Sequence, residues 1–489
     1  MKGTILLVLF AACTTQNDSV DFTGTAVEAI QQNQGLQIPS GVPIPDPFGL
    51  GTTISTTGKI DFSSDFFQDL GTNGRRCVSC HLPTSGWTIT PPQIQLIFAL
   101  TLGGAIDDGL GLGAIFRTND GSVSPNADVS TFAARKKAYS MLLSKGVIRI
   151  GLPMPANAEF SLVAVDDPYG FASATQLSMF RRPLPTTNLK VLSTVMWDGR
   201  ENAAAQTIHF DLGNQANDAT TSHAQGNPIT ADEETNIVNF ETGIYFAQTL
   251  DNGAGNLSSS GAQGGPEFIE NMPFHIGIND NFGDCVDPAC MVIGAPLGSG
   301  TRGAPFNPDV FTIYDAWTNT NSGNHAQSAD RRAVARGEDL FNNFPITITG
   351  VGGLNDNAAF GSPASLVGGC VTCHDTPNSG NHSVAAPLNI GIAAANIRTP
   401  DMPLYTFRNN TTGEEVQLTD PGRGLITGKW VNLGEFKGPV LRGLAARAPY
   451  FHNGFAADLD AAVDFYDTRF NMGLTAQQHS DLVAFLKTL

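Results

Sequence analysis

Apolar residues recur at helical spacing in four stretches of this chain, and between those stretches the sequence breaks into short runs separated by turn residues. In "DFSSDFFQDLGTNGRR", Phe62, Phe66, Phe67 and Leu70 share one face, with Gly71 placed to end the helix. In "SADRRAVARGEDLFNN", Ser328 can cap the start while Val334, Leu340 and Phe341 turn inward. "DLDAAVDFYDTRF" sets Leu459, Val463 and Tyr466 at i, i+4 and i+7, all on one side. "TAQQHSDLVAFLKTL" opens on Thr475 and Gln478 as a capping box and offers Leu482, Val483, Phe485, Leu486 and Leu489 for burial. The pattern predicts a mainly α protein.

Composition adds irregular structure to that picture. With 53 glycines and 29 prolines among 489 residues, much of the chain must be loop and turn. The length exceeds what one core supports, so two or three domains are expected. The polar stretch "TNTNSGNHAQ" just before Ser328 is a natural boundary. A net charge of -18 repels nucleic acid and anionic lipid and favours a cationic protein partner or a salty medium.

The chain starts "MKGTILLVLFAACTTQNDS", with one lysine and an apolar run from Ile5 to Ala12. That run falls far short of the roughly 20 residues that span a bilayer, so residues 1–12 read as an export signal. The stretch resembles a bacterial lipoprotein signal, in which Cys13 becomes the lipidated first residue and a lipid anchor. Residues 13–50 read as a linker. In an exported chain Cys285 and Cys290, in "FGDCVDPAC", most simply form a small-loop disulfide.

Four cysteines remain, in "RRCVSCH" and "GGCVTCHDTPNSGNHS". Cys-x-x-Cys-His is the attachment signal for c-type haem. Cys77 with Cys80, and Cys370 with Cys373, can each reach the two vinyl groups of one porphyrin, and His81 or His374 swings under the iron as proximal ligand. A zinc ribbon pairs its knuckles over roughly 15 to 20 residues, whereas these begin at residues 77 and 370. A redox dithiol leaves the histidine after each pair unexplained. Two covalently bound haem c groups are therefore expected.

Beyond those motifs the chain resembles the bacterial di-haem cytochrome c peroxidase family, which includes the MauG-like enzymes. "TVMWDGRENAAAQ" looks like the family's Trp-Asp-Gly-Arg segment and following glutamine, and "FKGPVLRGLAARAPYFHNG" like its Lys-x-Pro-x-Leu-Arg and Pro-Tyr-x-His-x-Gly segment. "LDAAVDFY" follows where the family has the helix carrying the second haem's distal ligand. The likeness is strong over about residues 325–489 and patchy before, with "DVSTFAARKKAYSMLLSKGVIRIGLPMP" looking like an insertion. The resemblance implies two cytochrome c-type domains: residues 51–325, enlarged by long loop-rich insertions, and residues 326–489. It further implies a periplasmic or cell-envelope location, hydrogen peroxide as substrate, a small redox protein as electron donor or acceptor, and calcium between the domains. An electron carrier without catalysis and a MauG-like oxidant of a protein partner are the alternatives.

The sixth iron ligands decide between these. Tyr466 falls where the family has methionine or tyrosine, and Met472 in "FNMGLT" is its rival; the plain alternatives are a core tyrosine and a packing methionine. Methionine raises the potential, and tyrosinate lowers it. For the first haem His223 is the leading distal ligand, with an ordinary capping histidine as its alternative. His452 matches a family histidine near the second haem. Trp197 resembles the family's relay between haems, and Gln206 its glutamine. A peroxidase also needs an acid/base carboxylate. No glutamate occurs in "TIHFDLGNQANDAT", which leaves Asp211, Asp218 and Glu201. Arg181, Arg182 and Arg200 are candidates for pairing with haem propionates.

Overall fold

The computed structural model describes residues 37–321 and 324–489. The export signal, Cys13 and most of the expected linker lie outside the described residues. About 30% of the described residues are helical and 17% are strand, so the fold is mixed rather than mainly α. Periodicity missed the strands for a physical reason. Gly49–Ser55 ("GLGTTIS") and Ile244–Asp251 are buried on both faces, which removes the alternation that betrays a strand. They pair with each other inside a four-stranded sheet whose outer strands are Pro43–Asp46 and Gly255–Asn256. Residues 37–50, expected as linker, thus supply strands to the folded body, including Gln37–Pro39 paired with Lys59–Asp61.

The first predicted helix is absent. Only a single 3₁₀ turn, Asp65–Phe67, forms there, because Ser64 caps it locally while Asp61 accepts from Ser63. Phe66 and Phe67 are buried, but in an aromatic cluster with Trp87 and Phe240 rather than along a helix. The other three predicted helices form at His325–Asn343, Leu459–Phe470 and Ala476–Leu486. The first is capped by Asn324 and not by Ser328, which is buried one turn inside it. Thr475 and Gln478 make the expected capping box. The apparent insertion folds as helices Phe132–Ala138 and Ser140–Lys145 followed by strand Ile148–Leu152.

Packing crosses the expected domain boundary. The cluster holding Val334, Phe341, Val463 and Phe485 also contains Val310, Phe311, Tyr314 and Trp317. Strand Phe160–Asp166 pairs with Leu404–Asn409, which pairs in turn with Glu415–Leu418. The Cys285–Cys290 disulfide forms, with the Cα atoms 5.9 Å apart. Among the described residues no helix is long and apolar enough to cross a membrane.

Candidate functional site

The two Cys-x-x-Cys-His segments adopt the same local structure, and their third residues explain why. Ser79 Oγ accepts from the backbone N–H of Arg76 at 3.0 Å, and Thr372 Oγ1 accepts from that of Gly369 at 3.0 Å. Each hydroxyl folds the segment into a 3₁₀ turn, Cys77–Ser79 or Cys370–Thr372. The turn continues into the histidine, whose N–H donates to the first cysteine's carbonyl at 3.0 Å for His81 and 3.1 Å for His374. Both imidazoles are then held alike. His81 Nδ1 lies 3.2 Å from Trp87 O, and His374 Nδ1 lies 2.5 Å from Gly380 O. A carbonyl only accepts, so Nδ1 carries the proton and Nε2 keeps the lone pair a metal needs. Burial lowers the pKa of both rings, His81 to about 4, which keeps them neutral.

None of these four cysteines is disulfide-bonded. Burial pushes all four thiols upward, Cys80 to about 11, so they are protonated at neutral pH. Protonated thiols in separate turns suit thioether formation better than thiolate coordination. Among the described residues no cluster of three or more His, Cys, Asp or Glu side chains is set to hold a metal ion, so the four thiols do not form a zinc site there.

Cys77, Cys80 and His81 open into a cavity of about 1540 Å³, counting its mouth, with a largely apolar wall that includes Leu192, Met196 and Leu212. That space and donor set fit a haem c. His223, at the C-terminal end of helix Ile208–Ser222, lines the same cavity. Its Nδ1 is 2.8 Å from Asp120 Oδ2, which also pairs with Arg75 at 2.9 Å. This anchoring orients the ring and leaves Nε2 available for coordination.

Trp197 and Arg200 also line the cavity, whereas Gln206 is exposed and does not. Glu201 sits beside Arg200 at 3.7 Å, its pKa raised to about 7 by burial and then by Asp218. Asp211 is fully buried and accepts from the Ala203 N–H. A carboxylate that the sequence did not reveal faces the cavity instead. Glu241, on helix Ala231–Thr242, is 3% exposed, leaves Oε2 without a partner and is raised by burial to about 8. Lys437 lines the cavity too, with Nζ donating only to Thr194 O at 2.8 Å.

The arginines expected at propionates divide. Arg181 is spent on Asp198 and Asp420, a buried triad that ties the Trp-Asp-Gly-Arg segment to the C-terminal half. Arg182 donates only to the carbonyls of Lys145, Ile89 and Arg447. Arg200 pairs with Asp198 at 3.2 Å but keeps an edge on the cavity.

At the second motif, Tyr466 is half-buried against Phe451, Phe465 and Phe470. Burial raises its hydroxyl pKa, and the nearby Cys373 and Cys370 raise it further. Met472 packs on the cluster of Ile346, Ile348 and Leu354 that also contacts Cys370. Tyr466 therefore stands near the second pair of cysteines, while Met472 shares a packing cluster with Cys370. His382, eight residues after His374, lies 3.0 Å from Asp375. Trp197 Nε1 donates to Arg182 O at 2.8 Å and its ring lies 6.3 Å from that of His452. His452 is fully buried, stacked on Phe436 at 4.0 Å, with no hydrogen-bond partner on either ring nitrogen.

No family model matches the chain. Cytochrome-c peroxidase IdrP2 of Denitromonas iodatirespirans is 31% identical over 136 residues, 25% of this chain and 36% of that protein. Cytochrome-c peroxidase IdrP1 of the same organism is 28% identical over 137 residues. Cytochrome c551 peroxidase of Nitrosomonas europaea is 32% identical over 122 residues, 25% of this chain and 30% of that protein. The chain spans about a third of the length of the curated relatives it matches. Over about a quarter of its length the chain is thus related to cytochrome-c peroxidases, and those relatives support the cytochrome c peroxidase family to which its motifs point.

Proposed function

We propose that the chain is an exported di-haem c-type cytochrome that accepts electrons from a small redox protein and reduces hydrogen peroxide at one of its two haems. The observation that carries this reading is the shared geometry of the two motifs: thiols protonated by burial, and each histidine held through Nδ1 by a backbone carbonyl. Cys77 and Cys80 would hold one haem over His81, and Cys370 and Cys373 the other over His374. Bound haem would supply the iron that exchanges electrons with peroxide. Reduction of peroxide to two waters consumes two electrons and two protons, so the chain must hold and deliver protons near the open site. Glu241 suits that task, as a neutral acid facing the first cavity with a free oxygen. His223, braced by Asp120, either closes that site as a ligand or orients what enters it. Arg200 would meet a propionate at the cavity wall, and Lys437, whose ammonium pKa burial lowers to about 7, would be charged beside one.

A MauG-like second reading is favoured by one observation, the nearness of Tyr466 to the two thiols of the second motif. The decisive measurement uses protein made in a host that matures c-type haems. Its mass should exceed that of the polypeptide by two porphyrins. The reduced spectrum should change with a small ligand such as carbon monoxide, and the protein should turn over hydrogen peroxide. Two haems whose spectra ignore the ligand, with no turnover, would make it an electron carrier.

A further inference from the structure

Three guanidinium groups run through the interior from the first haem cavity to the second motif, and none is paired with a described carboxylate. Arg182, which lines the cavity, donates to Arg447 O at 2.9 Å. Arg447 Nη1 donates to Arg442 O at 2.6 Å, and its Nε to Gly86 O at 3.0 Å. Arg442 donates to Asn378 O at 3.2 Å and to Gly265 O at 3.0 Å. Asn378 stands two residues before Gly380, whose carbonyl holds His374. The three are 5%, 5% and 0% exposed for Arg182, Arg447 and Arg442.

Desolvation lowers all three, Arg182 and Arg442 to about 10 and Arg447 to about 9, so each remains charged at neutral pH. The ionisable neighbours do not cancel them. Tyr450, beside Arg182 and Arg447, and Tyr314, beside Arg442, are held protonated by burial. Glu338 acts on Arg442 only through space, since its oxygens accept from Ile313 and Tyr314, and burial raises its carboxyl to about 8. The architecture makes room for the middle member. A Cβ at Gly86 would come within 2.9 Å of Arg447 Nε, one at Gly443 within 2.9 Å of Nη2, and the guanidinium lies 5.7 Å from the centre of the Phe246 ring.

Buried cations without ion pairs are costly, and here their hydrogen bonds go to backbone carbonyls, so the net product of the arrangement is positive charge at fixed places in a chain of net charge -18. Positive charge in a low-dielectric interior favours the reduced, less positive state of a nearby iron. We propose that Arg182, Arg447 and Arg442 are positioning residues, a fixed cationic column that raises the reduction potentials of both haems and sets how an electron divides between them. This inference rests on the di-haem reading.

The test is a redox titration of the haem-loaded protein followed by absorbance. Arg182→Gln should lower chiefly the first haem's potential, Arg442→Gln chiefly the second's, and Arg447→Gln both, moving the electron's distribution between haems on the order of tenfold in the end variants. Arg182→Lys, which keeps the charge, should stay near the unmutated values. If Arg447→Gln does not fold, the two end variants carry the test by their opposite effects on the distribution. Equal shifts from Arg182→Gln and Arg182→Lys, or unmoved potentials in haem-loaded Gln variants, overturn the column. Absence of two covalent haems from the unmutated protein overturns the di-haem reading itself.

Discussion

At the scale of single residues, Glu241 shows what burial does to an acid and why no sequence pattern announced it. The two haem motifs were legible because attachment chemistry dictates a local spacing, and Ser79 and Thr372 complete each turn within the motif. Glu241 faces the same cavity only because helix Ala231–Thr242 folds over Cys77 from far along the chain. Gln206 had the right spacing from Trp197, yet it is exposed. Because burial raises Glu241 to about 8, the folded state binds a proton that the unfolded state releases near pH 4.5. Stability therefore falls as pH rises from about 4.5 to about 8, and this one group costs on the order of 4 kcal/mol at the upper end. Glu338 and Glu435, also raised to about 8 by burial, add slopes of their own. Glu241→Gln should leave stability near pH 4.5 little changed and raise it at pH 8, which denaturant unfolding at the two values would measure. Parallel losses at both would refute the neutral acid.

Among elements, the C-terminal helices announced themselves and the strands did not. Leu459–Phe470 and Ala476–Leu486 carry clear caps, Asp458 and the Thr475–Gln478 box, and a one-sided apolar face. Gly49–Ser55 has neither alternation nor flanking contrast, since both its faces are covered. The 3₁₀ turn at Asp65–Phe67 was hidden by tertiary packing, which holds its phenylalanines against Trp87 and Phe240. One glycine records how closely two helices approach. Gly337, in helix His325–Asn343, has no room for a side chain: a Cβ there would lie 1.9 Å from Asp481 O on helix Ala476–Leu486. Alanine in a helix is ordinarily better than glycine by about 1 kcal/mol, but forced separation of packed helices costs about 1–3 kcal/mol. Gly337→Ala should therefore destabilise despite its propensity, seen as a lower denaturant midpoint; a gain in stability would mean that the helices can part freely.

For the whole molecule, the question is whether the C-terminal cytochrome-like unit stands alone. Its sequence signals, from the polar stretch before Ser328 to the last helix, read as a self-contained domain, because capping and periodicity report local structure only. Packing says otherwise. The core of that unit takes Leu257, Val310, Phe311, Ile313, Tyr314 and Trp317 from the preceding half. Leu404–Asn409 loses a neighbouring strand without Phe160–Asp166, and Asp420 loses Arg181. Each large apolar side chain left unburied forfeits roughly 1.5–3 kcal/mol, and a buried carboxylate stripped of its cation costs roughly 3–5 kcal/mol more. The total is comparable to the 5–15 kcal/mol or so by which domains are stable. A fragment of residues 326–489 should therefore show no cooperative thermal unfolding and should retain haem poorly in a host that matures it, whereas residues 37–489 should unfold in one transition. A fragment 326–489 with a sharp transition and a full porphyrin increment in its mass would show that the two halves are independent after all.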